Sequence, residues 1–159
     1  MHEVKGIPFD APLYHGGDEQ GSAFLNCQAV NVMFSITRDA TRLLPEELVP
    51  AANPAIGIVG VACYGLSTVG AYLEHYSGLQ VRNPGGQTGY YIPCIYVTTN
   101  DAALASGREV LGAPNKLAHI RLTWEAGPIQ GTLERRAGKR LLTITAQPNQ
   151  RMSSGARQM

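Results

Sequence analysis

Charge is scarce in this chain. Asp, Glu, Lys and Arg make up 16% of its 159 residues, and they cancel to a formal net charge of +1. So weak a field gathers neither nucleic acid nor acidic lipid, and no nucleic-acid or membrane partner is expected. Cysteine is sparse as well, with only Cys27, Cys63 and Cys94. Three widely spaced cysteines exclude a disulfide scaffold. Each lies in an apolar stretch and reads as a reduced, buried thiol, which fits a cytoplasmic protein. The opening Met1-His2-Glu3-Val4-Lys5-Gly6-Ile7-Pro8 lacks the apolar core of a signal peptide, and no apolar run is long enough to span a bilayer. His2, His15, His75 and His119 are scattered without metal-ligand spacing. Nothing resembles a nucleophile elbow or a phosphate loop, so neither metal nor cofactor is expected. Lysine is rare too: the chain has only Lys5, Lys116 and Lys139.

What is present is a core. Hydrophobic residues make up 44% of the chain, a globular composition of the size of one ordinary domain. Residues 1–26 are rich in Gly, Pro and Asp and read as a loose lead-in. A single domain is expected over 27–148, and a polar tail over 149–159. Val30, Val32, Phe34 and Ile36 alternate with other residues and predict a strand. A short helix is predicted over 38–44, stopped by Pro45. Uncharged, β-branched 55–64 reads as a buried strand, 69–76 as a third strand, and 90–98 as a fourth. Pro93 places an edge or a bulge in that fourth strand. Asn100 can cap a helix over 101–111, with Asp101 favourable to its dipole. Residues 117–124 read as a fifth strand. A hairpin follows, its arms 129–135 and 139–146 joined at Arg136-Ala137-Gly138. The fold class is α+β, mainly antiparallel β, as a barrel-like sheet or a sandwich with two short helices.

The most informative segment is Gly107-Arg108-Glu109-Val110-Leu111-Gly112-Ala113-Pro114-Asn115-Lys116-Leu117-Ala118. It resembles the signature of the acetoacetate decarboxylase family, where a Gly-Arg-Glu helix end leads through Pro into a Lys-Lys-Leu run. Residues 100–105, Tyr72-Leu73-Glu74 and the 39–48 segment with its Leu-Pro turn fit the same pattern. The resemblance implies a barrel-like sheet and a small keto-acid substrate. It also implies a lysine that attacks the ketone, forms a Schiff base and draws electrons while carbon dioxide leaves. Such a lysine must be neutral, so its pKa must fall well below about 10.4. Burial and a neighbouring cation do this, and acetoacetate decarboxylase is the standard example of that activation.

The chain departs from the pattern at several points. Asn115 stands where the family carries the first lysine of its pair, and an amide cannot form a Schiff base. Lys116 is then either the nucleophile of a shifted loop or the leftover partner of a lost one. Neighbouring strand residues face opposite ways, so a regular strand would turn Lys116 away from the side position 115 faces. No arginine stands near 26–28, and no acid lies within 55–64, although the family uses both. Family members also continue past this length with strands that complete their barrel. An open sheet edge is therefore expected, which a second copy could cover as a homo-oligomer. Truncation, a minimal relative and a subunit completed by another chain all remain open.

Two candidate catalytic residues follow, Lys116 and Glu74. Tyr72, Glu74 and Tyr76 share one strand face, and the resemblance carries Glu74 onto an active-site glutamate. Between two tyrosines it could move a proton; it could also be an ordinary solvent-facing glutamate. Arg108 could hold a substrate carboxylate or fix the loop through an ion pair. Asn115, Tyr72 and Tyr76 complete the candidate substrate-binding set. The expected activity is that of a carbon–carbon lyase acting through Lys116. The alternatives are a relative that enolises, hydrates or cyclises with Glu74 as base, and an inactive small-molecule-binding or partner subunit.

Overall fold

The computed structural model describes residues 23–36, 39, 41–98, 100–124, 127–136 and 138–150. Strands β1 (Phe24–Ile36), β3 (Ala55–Ser67), β4 (Tyr72–Arg82) and β5 (Thr88–Val97) run antiparallel to their neighbours. Strand β6 (Asn115–Leu117) joins β5 in parallel, and the two-residue β2 (Val49–Pro50) pairs with the end of β4. The sheet order is β1-β3-β4-β5-β6. A second, three-stranded sheet holds β7 (His119–Trp124), β8 (Ile129–Glu134) and β9 (Arg140–Ala146). Among the described residues neither sheet closes on itself, so the architecture is α+β, mainly antiparallel, with an incomplete barrel-like sheet.

Side-chain alternation gives the large sheet two distinct faces. One carries Val30, Val61 and Tyr96, which pack on Ala118 and on Ile120, Leu133 and Ile144 of the small sheet. His75 is buried on this face and stacks on Tyr96. Its Nδ1 lies 2.9 Å from the Gly60 carbonyl oxygen. A carbonyl can only accept, so Nδ1 carries the proton. Burial holds the His75 pKa below its ordinary value, against the pull of that bond. The other face carries Tyr72 and Val97, covered by Ala103 of helix α1 (Asp101–Ala105).

Several expectations need correction. Strand β1 takes in Phe24, Leu25 and Asn26, which the lead-in was expected to hold; residues 1–22 and the tail from 151 lie outside the described residues. The first helix is a single tight turn at Thr41–Leu43, because Pro45 leaves no room for another turn. The second helix is α-helical only to Ala105 and then widens into one π-type turn, Ser106–Val110. Val69 belongs to a tight turn, where the Gly70 N–H donates to the Ser67 carbonyl, so β4 starts later and runs on to Arg82. The fifth strand is two: the Ala118 N–H makes the last bond to β5, at Val97 O, and the chain then crosses to the small sheet. The bulge expected at Pro93 is present, by contrast, with Ile92 and Pro93 opposite Gly78. The cysteines are free, but Cys27 is exposed because β1 is an edge, and Cys63 and Cys94 are only half-buried.

Candidate active site

Glu74 is half-buried in the middle of β4, on the face that α1 partly covers. Its cross-strand neighbours are Ala62 on β3 and Val97 on β5, neither of which offers a polar group. Desolvation raises its pKa above the ordinary carboxylate value, and a hydrogen bond from the Tyr64 hydroxyl, at 3.4 Å, opposes the rise. Tyr64 pairs with Tyr72 across the strands, and their rings lie 4.7 Å apart. Burial, then the Glu74 charge, pushes the Tyr72 pKa up to about 12 and that of Tyr64 higher still. Both hydroxyls therefore stay protonated and can donate. On the far side of Glu74 the Tyr76 hydroxyl donates to the Asn31 side-chain oxygen. A Cβ at Gly60 would overlap both groups, so the glycine makes room for that bond. The face is thus a carboxyl among three phenols, a setting for moving one proton.

Asn115 lies on the same face. It pairs with Ile95, which pairs with Tyr76, and the three side chains point the same way. Only 5% of Asn115 is exposed. Its Nδ2 donates to the Ala103 carbonyl at 3.4 Å, and its buried Oδ1 has no hydrogen-bond partner among the described residues. The wide turn brings Gly107 so close that a Cβ there would overlap the Asn115 amide. Lys116 pairs with Tyr96, is exposed, and points to the opposite face of the sheet. Arg108 is exposed and donates to the Asn115 carbonyl oxygen at 3.3 Å, which ties the turn to the start of β6.

The structure therefore brings Glu74, Tyr72, Tyr76 and Asn115 to one face and sets Lys116 on the other. Sequence reasoning missed Tyr64 and Asn31. Pairing the 55–64 strand with the next across a short turn would have set Tyr64 opposite Tyr72. Asn31, an amide within an apolar alternation, was the other signal. Among the described residues no cluster of His, Cys, Asp and Glu could hold a metal ion. No helix among them is long and apolar enough to cross a membrane.

The fold class is an α+β, barrel-like open antiparallel sheet, and the candidate site on it is a half-buried carboxyl among phenols. The particular family is settled by comparison. The profile of the acetoacetate decarboxylase family matches residues 10–159, and the chain belongs to that family. It is 29% identical over 128 residues to the acetoacetate decarboxylase of Clostridium botulinum, a match covering 80% of this chain and 50% of that enzyme. The crystal structure of acetoacetate decarboxylase from Legionella pneumophila superposes with a TM-score of 0.75 at 23% identity, covering 85% of this chain and 53% of that one. The fold is also that of MppR, an enduracididine biosynthesis enzyme solved with the condensation product of pyruvate and imidazole 4-carboxaldehyde. There the TM-score is 0.66 at 19% identity, over 76% of this chain and 53% of that one. The chain spans about half the length of the curated relatives it matches.

Proposed function

We propose that this chain binds a small keto acid on the Glu74 face and moves a proton there without an imine. The observation that carries this reading is the placement of residues 115 and 116. Asn115, an amide, holds the inward position, while the neighbouring amine of Lys116 is exposed on the other side of the sheet. For Lys116 to serve as the imine-forming lysine, β6 would have to slip by one residue. That slip would turn Asn115 outward and flip every side chain of the strand.

Glu74 is the proton-transfer group. Burial raises its pKa above the ordinary carboxylate value, which makes the carboxylate a stronger base toward a carbon acid. Removal of a proton from the carbon next to a ketone gives an enolate; Tyr72, a protonated phenol on the same face, can donate to the developing oxygen charge, while the Tyr64 hydroxyl stays on Glu74. Enolisation is the simplest such reaction, and hydration or cyclisation would use the same base. Decarboxylation through Lys116 is the competing reading.

Exchange of the pyruvate methyl protons for deuterium, followed by NMR, separates the two. Exchange should be lost in Glu74→Gln and kept in Lys116→Met. The reverse pattern would sink the proposal.

A further inference from the structure

The β8–β9 hairpin concentrates charge that the rest of the chain lacks. Arg135, Arg136 and Lys139 line a hollow of about 430 Å³ together with Tyr96 and Leu141. Three cations therefore face it, and among the described residues no carboxylate does. The adjacent acid, Glu134, is already taken by Arg140, whose Nε and Nη2 lie 2.8 and 2.5 Å from its Oε1. Arg135, Arg136 and Lys139 have no ion-pair partner among the described residues.

The turn backbone brings the three residues together, and one aromatic ring holds Arg135. The Arg135 N–H donates to the Lys139 carbonyl and the Lys139 N–H to the Arg136 carbonyl, both at 3.1 Å, and Arg136 and Gly138 take positive φ to make the turn. The Arg135 guanidinium lies 5.6 Å over the Tyr96 ring, a cation–π contact. Tyr96 is itself buried and stacked on His75 at 6.1 Å, so the ring is a fixed platform. Guanidinium groups present planar forks that match phosphate oxygens, and lysine adds a point charge.

We infer that this hollow binds a small ligand carrying two or more phosphate groups. Three unneutralised cations exceed what a single carboxylate would balance. A polynucleotide needs a basic track far longer than one hollow, and a chain of net charge +1 has little charge left over to extend it. The site is independent of the proton-transfer face: Tyr96 pairs with His75, whereas Glu74 points to the opposite side of the sheet.

Isothermal titration calorimetry of the full chain with inorganic tripolyphosphate tests the assignment. Saturable one-to-one binding is expected. Arg135→Gln combined with Lys139→Gln should weaken it about tenfold or more, a loss of roughly 1.4 kcal/mol or more. Arg42→Gln combined with Arg82→Gln, which removes the same charge elsewhere, should leave it unchanged. Arg135→Lys keeps the charge but loses the fork, and should bind between the parent and the double variant. Absence of saturable binding by the parent would overturn the inference. So would equal weakening by the Arg42 and Arg82 pair, or a single-stranded oligonucleotide binding more tightly than tripolyphosphate.

Discussion

Glu74 pays for its position in the pH dependence of stability. Its folded-state pKa is raised by desolvation, so between the unfolded and folded values the folded chain holds the extra proton. Stability therefore falls as pH rises through that window and stays lowered above it. Below the ordinary carboxylate range, about 4.3, both states are protonated and the cost disappears. Glu74→Gln is expected to raise Tm at neutral and alkaline pH and to match the parent near pH 3 to 4, as a calorimetric pH series would show. Asn115 and Gly107 form a second coupled pair. Gly107→Ala drives a methyl into the Asn115 amide and should cost about 1–3 kcal/mol in denaturant unfolding. Adding Asn115→Ala should recover much of that loss, giving a coupling energy in a double-mutant cycle. The identity of Asn115 was plain in the sequence, and parity set it and Lys116 on opposite faces of a regular strand; that Asn115 is the buried one depends on the cover from α1 and the turn after it. The contact with Gly107 was not legible, because it depends on a π-type turn that no local pattern in 101–111 announces.

The elements divide into those set by local pattern and those set by contacts. Strands β3, β5, β8 and β9 lie close to where the apolar and β-branched runs place them, and the Arg136 to Gly138 turn is where glycine allows it. The Asn100 cap was equally readable: its side chain accepts from the Ala103 N–H at 3.1 Å. Its Nδ2 also donates to the Val69 and Ala71 carbonyls, so the cap ties α1 to the turn before β4. Asn100→Ala should cost about 1–2 kcal/mol, at the upper end for a cap. Circular dichroism followed through urea unfolding measures it. The late start of β4 and the break at Ala118 escaped local reading because each depends on a distant partner. Val69 is turned by the Ser67–Gly70 loop, and Ala118 ends its strand where β5 ends at Val97.

At the scale of the whole molecule the large sheet has an edge. Strand β1 is paired on one side only among the described residues, and its thirteen residues include no charge and no proline. Edges of that composition lack the usual guards against pairing. Light scattering should therefore show concentration-dependent self-association, and Val32→Lys should reduce it. The two faces of the sheet carry the rest of the account. One is sealed by the small sheet, with Lys116 exposed beside Tyr96; the other is half covered by α1, with Glu74 and Asn115 facing in. Trapping with borohydride in the presence of pyruvate or acetoacetate, followed by mass spectrometry, tests that division most directly. The account predicts an unchanged mass; a reduced adduct mapped to Lys116 would contradict it.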